Sequence, residues 1–85
     1  MRIQAEVSLY PLRTQEVGKA VAEFVECLRG RSIGLDVGPM STRISGDSTQ
    51  VFNALHAAFV LLAEKHQAVL TVTVSNACPE SIRPE

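Results

Sequence analysis

Two stretches of alternating side chains, near opposite ends of an 85-residue chain, constrain its fold more than any other feature. Over residues 3–11, Ile3, Ala5, Val7 and Leu9 alternate with Gln4, Glu6, Ser8 and Tyr10. Over residues 68–75, Leu70, Val72 and Val74 alternate with Val69, Thr71, Thr73 and Ser75. A period of two sends successive side chains to opposite faces, so each stretch is predicted as a strand with one buried side. Pro11 is expected to end the first strand, because proline has no N–H to give a central ladder.

The pattern changes to a helical one between them. Val17, Ala20, Val21, Phe24 and Leu28 form an apolar stripe, with Glu16, Lys19, Glu23 and Glu26 mostly outside it, which predicts a helix over residues 15–29. Thr14 is the expected N-cap and Gly30 the expected stop. Two short strands, residues 35–37 and 42–45, follow, joined by the turn-forming Gly38-Pro39-Met40-Ser41 as a hairpin. Asp47 stands three residues before Gln50, a variant of the capping box, and opens a second helix that runs to Lys65. Its stripe is Val51, Leu55, Ala58, Phe59 and Leu62, yet Phe52, Val60 and Leu61 lie outside that stripe. A helix apolar over so much of its girth is either deeply packed or covered by a partner. A domain this small hides only roughly 60–65% of its chain's surface, which points to self-association.

The order β-α-β-β-α-β is the split-βαβ, ferredoxin-like plan. Right-handed crossovers then place both helices on one face of a four-stranded antiparallel sheet, an α+β fold. Residues 1–85 read as a single domain, with residues 76–85 as a polar tail and no internal repeat.

Composition narrows the function. Apolar residues make up 46% of the chain and charged residues 20%, which excludes disorder by composition. A net charge of −1, with the eight Lys and Arg scattered, argues against nucleic acid as a partner. No secretory leader pattern and no membrane-length apolar run is visible, so a cytoplasmic protein is expected. Cys27 and Cys78 are expected as two free thiols, with a disulfide between them left open. No CxxC pair or Cys/His cluster offers a zinc site.

The sheet face away from the helices is predicted to carry Gln4, Glu6, Ser8, Tyr10, Asp36, Arg43, Ser45, Thr71, Thr73 and Ser75, with Ser41 at the turn. Solvated antiparallel faces are common. Here short hydroxyl side chains dominate where Lys and Glu would be usual, and they let another sheet or a flat ligand approach closely.

Four segments carry a family resemblance: Val7-Ser8-Leu9-Tyr10-Pro11-Leu12, Gly38-Pro39-Met40-Ser41-Thr42, Ile44-Ser45-Gly46-Asp47 and Val74-Ser75-Asn76-Ala77-Cys78-Pro79. In this order and spacing they resemble one repeat of the YkoF-like thiamine/hydroxymethylpyrimidine-binding family and the related single-repeat thiamine-binding proteins. The resemblance implies a ferredoxin-like domain that binds thiamine or hydroxymethylpyrimidine as a ligand without altering it, hence no enzyme and no catalytic cofactor. YkoF-like chains carry two repeats and this chain has one, so the resemblance also implies a homodimer or homotetramer, with the site at a subunit interface.

An aminopyrimidine needs an apolar slot and a few fixed polar groups. Ser41 and Thr42 match the Ser-Thr of the family's turn-to-strand motif and can both donate and accept; the competing reading is plain hairpin chemistry. Tyr10 could stack on the pyrimidine or face a thiazolium cation, or else be an aromatic at a sheet edge or subunit contact. Glu6 or Asp36 could accept from the exocyclic amine and offset the thiazolium charge; the alternative is an ordinary surface acid, with Asp36 paired to Arg43. Ser8, Asn76 and Cys78 are weaker candidates, carried by the motifs around them.

Other signals are discounted. Gly46-Asp47-Ser48 resembles the start of a thiamine-diphosphate motif but sits at a strand end and caps a helix. His56 and His66 are ten residues apart, which does not make them helical neighbours. Arg13 follows the first strand without the Gly-rich loop that an acylphosphatase-type hydrolase needs. The alternative function is an ACT-like regulatory or oligomerisation module for another small metabolite, since the fold is shared.

Overall fold

The computed structural model describes residues 1–77. It contains β1 (Arg2–Leu12), α1 (Val17–Arg29), β2 (Gly34–Val37), β3 (Thr42–Asp47), α2 (Ser48–Ala63) and β4 (Gln67–Ser75). The strands form one sheet in the order β2-β3-β1-β4, antiparallel at every step. The predicted ferredoxin-like βαββαβ plan is the observed one. Of the expected tail, residues 78–85, Cys78 among them, lie outside the described residues.

The alternation in β1 decides which face is buried. Ile3, Ala5 and Val7 sink into a core shared with Ala20, Phe24 and Leu28 of α1, Ile44 of β3, and Val51, Ala54, Leu55, Ala58 and Leu62 of α2. Leu28, Ile44 and Leu62 are fully buried, and each such side chain contributes about 1.5–3 kcal/mol. On α2, Phe52, Val60 and Leu61 remain exposed, as do Val69 and Val74 of β4. Among the described residues no helix is long and apolar enough to cross a membrane.

Two boundaries near the cleft differ from expectation, the start of the first helix and the end of the first strand. The first helix starts at Val17 rather than residue 15: the Thr14 hydroxyl accepts from the Glu16 N–H at 3.0 Å and closes a turn ahead of the helix instead of capping it. Val17 is consequently exposed, and Val25 takes a place in the buried set. Gly30 does follow the helix, but with φ −80°, a conformation open to any residue. Pro11 does not end β1. The β1–β3 ladder stops at Val7 opposite Thr42, while the β1–β4 ladder continues to Leu12 opposite Gln67. Proline is therefore accommodated where β1 has a single neighbour.

The second helix begins as predicted. Asp47 is its N-cap, and its carboxylate accepts from the Thr49 N–H at 3.1 Å. The same carboxylate meets the N-terminal ammonium of Met1 at 3.1 Å.

Candidate functional site

The unequal ladders around β1 create a notch. Among the described residues, β1 beyond Val7 pairs with β4 alone, so its other edge carries backbone groups that no strand engages. Facing that edge is the tip of the β2–β3 hairpin, closed by the Gly38 N–H donating to the Ser41 carbonyl at 2.9 Å. A Cβ on Gly38 would stand 3.0 Å from that carbonyl oxygen, so the tight tip depends on glycine here. On the third side stand Val21, Phe24 and Val25 of α1. The cleft between them encloses about 200 Å³, less than the roughly 300 Å³ at which sites for drug-sized ligands begin. It suits a single ring. Among the described residues its walls are mainly apolar, its polar side chains are Ser8, Tyr10, Ser41 and Thr42, and no Lys or Arg lines it.

The register locates each candidate from the sequence. Glu6 is opposite Arg43 on one side and Thr73 on the other, and Arg43 is opposite Asp36. Gln4 is flanked by Ser45 and Ser75, Ser8 is opposite Thr71 and Tyr10 opposite Val69. These residues therefore share the face away from the helices, as predicted. Ser45 is buried there despite its hydroxyl. This face holds a second recess of about 200 Å³, walled by Gln4, Glu6, Arg43, Thr73 and Ser75.

Thr42 is on the other side. It stands opposite Val7 and Val37 and is buried on the helix side. Ser41 and Thr42 thus straddle the hairpin end, and both line the cleft. The Ser41 hydroxyl donates to Glu6 Oε2 at 2.9 Å, which ties two candidates together. The Ser8 hydroxyl makes a longer contact, 3.4 Å, to the Met40 carbonyl. Tyr10 stands at the cleft, half exposed.

Two candidates are not drawn in. Asp36 holds Arg43 Nη2 at 2.7 Å, with both side chains about half exposed, which is the ion-paired surface acid of the alternative reading. Asn76 follows Ser75, which is opposite Gln4, whereas the hairpin tip is level with Ser8; four residues of strand separate the two levels, roughly 13 Å. Cys78 is outside the described residues. Cys27 has a free thiol away from the cleft. Among the described residues no group of three or more His, Cys, Asp or Glu is placed to hold a metal ion.

The α1 wall is what sequence reading missed. Val21 and Phe24 stood in the predicted stripe, but periodicity alone does not show that this stripe reaches past the end of a ladder. Pro11 inside an alternating run was the available sign of an open strand edge.

The chain thus joins a ferredoxin-like fold to a ring-sized, mainly apolar, hydroxyl-bearing cleft at one end of its sheet. The thiamine-binding protein family model matches residues 5–76, from β1 to the residue after β4. The chain belongs to that family. Solved structures share the fold at low identity. A Streptococcus pneumoniae protein is 15% identical with a TM-score of 0.87, over 96% of this chain and 93% of its own. A hypothetical protein from Methanocaldococcus jannascii is 20% identical with a TM-score of 0.83, over 96% and 87%. A candidate thiamine biosynthesis/salvage protein from Thermotoga maritima is 13% identical with a TM-score of 0.78, over 87% and 82%. A comparison with curated proteins gives no match.

Proposed function

We propose that this chain binds thiamine or its hydroxymethylpyrimidine moiety in the cytoplasm, without chemical change, for buffering or delivery. The observation that carries the reading is the notch: a ring-sized cleft, apolar in its walls, within the segment that matches the family. In this reading the pyrimidine ring packs among Val21, Phe24 and Leu9, where burial of its faces supplies affinity. Its polar edge meets Ser41, Thr42 and the unpaired edge of β1, whose backbone offers both donors and acceptors. Glu6, linked to the site through Ser41, offsets the charge of a thiazolium. The uncharged lining favours an unphosphorylated ligand.

Thiamine has a second ring, and a single-ring cleft leaves it at the mouth beside Tyr10 and Met40, the latter 87% exposed. A second copy of the chain would cover it there, giving a site at a subunit interface. The exposed apolar residues of α2 and β4 support association, as a homodimer that restores two repeats or as a homotetramer.

The test is isothermal titration calorimetry with thiamine, with hydroxymethylpyrimidine and with a panel of amino acids. Binding of either pyrimidine, and of no amino acid, is the expected result. Ser41→Ala combined with Thr42→Val should weaken it roughly ten- to a hundredfold, the loss of one or two hydrogen bonds in a partly enclosed site. Unchanged affinity in the double variant defeats the site; no pyrimidine binding to the parent protein defeats the function.

A further inference from the structure

We infer that Glu6, which does not itself line the cleft, sets the hydrogen-bond polarity of Ser41 and so makes the site select heterocycles that present a donor at their edge. The inference rests on the binding function proposed above and names the chemistry that the same site reads.

A hydroxyl has one proton and two lone pairs, whereas an ionised carboxylate only accepts. The 2.9 Å contact between Ser41 Oγ and Glu6 Oε2 therefore has a single polarity: Ser41 donates. Its proton is spent, and what it keeps for a ligand is acceptor capacity. Ser8 repeats the arrangement more weakly, with its proton directed to the Met40 carbonyl at 3.4 Å. Ser41 and Ser8 thus meet a guest as acceptors; among the described residues no Lys or Arg lines the cleft, and its remaining donors are the Thr42 and Tyr10 hydroxyls and the open edge of β1.

The two partners differ in rigidity. Glu6 is on the central strand β1, laddered on one side to Arg43 and on the other to Thr73. Ser41 is on a turn closed by the Gly38 N–H. A group on the sheet thereby orients a group on a loop, and Glu6 is a positioning residue acting through Ser41.

The chemistry follows directly. An aminopyrimidine places N–H donors against the Ser41 lone pairs. The corresponding oxo-pyrimidine places carbonyl lone pairs against them, and neither partner can supply the proton. A ligand edge held against Ser41 meets a fixed acceptor, which rejects such an analogue more strongly than a hydroxyl free to turn.

The experiment is a calorimetric titration of thiamine and of its 4-oxo analogue into the parent protein, Glu6→Gln and Ser41→Ala. Glu6 is exposed and the glutamine is isosteric, so the fold is expected to persist, with circular dichroism as the check. The parent should prefer the amino compound by about tenfold or more. In Glu6→Gln, whose amide can donate to Ser41 as well as accept from it, the preference should fall to within roughly threefold. Ser41→Ala should lose the preference as well. A parent protein that binds thiamine while Glu6→Gln keeps the full preference overturns the inference and leaves the binding function standing. A parent protein that binds neither compound overturns both.

Discussion

Asp47 shows how one side chain serves two separate parts of the chain. Its carboxylate caps α2 through the Thr49 N–H and also holds the ammonium of Met1, 46 residues earlier in sequence. The Ser48 N–H donates to the Met1 carbonyl at 2.7 Å, fastening the start of β1 to the start of α2. The hydrogen bond from the ammonium, then that from the Thr49 N–H, hold the Asp47 carboxyl below its ordinary value of 3.8. A depressed folded-state pKa stabilises the fold above the unfolded value, and that contribution is lost as pH falls from 3.8 toward the lowered value. Urea midpoints measured from about pH 5 down to pH 2 should therefore decline, and Asp47→Asn, which keeps a cap acceptor without the charge, should decline less steeply. Identical pH profiles would refute this. The capping role was readable from Asp47 and the helical stripe that follows it. The ammonium partner was not, because nothing local marks a contact made across the whole length of α1 and the hairpin. Glu6 and Ser41 are alike in this: the sequence singled out each separately, and only the fold joins them.

Two glycines set the shape of the hairpin arm. Gly46, buried in β3, has φ +156°, which side-chain-bearing residues rarely adopt. A Cβ there would meet Ile33 Cγ2 at 3.4 Å and Val51 Cγ2 at 3.6 Å, ordinary contact distances, so conformation rather than crowding is the obstacle. Gly46→Ala should cost more than about 1 kcal/mol in urea denaturation; a stabilised variant would contradict this. Gly38→Ala should act differently. Its Cβ would press on the Ser41 carbonyl oxygen at 3.0 Å, and the exposed tip must move. Thiamine affinity should drop while the urea midpoint changes little, and unchanged affinity would separate the turn from the site. Element types were readable throughout, since each rests on a local period. Boundaries shifted for two different reasons: β1 outruns Pro11 because the distant β4 keeps pairing with it, and α1 starts late because Thr14 closes a local turn first.

At the scale of the whole molecule, exposed apolar surface predicts association. Phe52 is 52% exposed and Leu61 38%, and among the described residues no strand pairs with the outer edge of β4. Sedimentation at micromolar concentration should find a species larger than the 9.2 kDa chain. Phe52→Glu with Leu61→Glu should shift it toward monomer with helix content retained, because neither side chain is in the core. A parent protein that sediments as a monomer would remove the basis for a shared site. A ligand present at a hundred times its dissociation constant should stabilise the assembly by about 2.7 kcal/mol, a shift that thermal unfolding reads easily.

Local residue spacing sets the order of elements, the faces of β1 and β4, the cap of α2 and the hairpin turn. Each of these depends on residues within a few positions of one another, where backbone geometry converts spacing directly into direction. Tertiary structure alone decided where the ladders end. A four-residue β2 turns back at Val37 while β1 runs on to Leu12, and that mismatch opens the cleft, brings α1 over it and sets Ser41, 35 residues from Glu6 in sequence, against its carboxylate. Register and strand overlap follow from packing the whole core, and Pro11 in β1 is the one local sign of them.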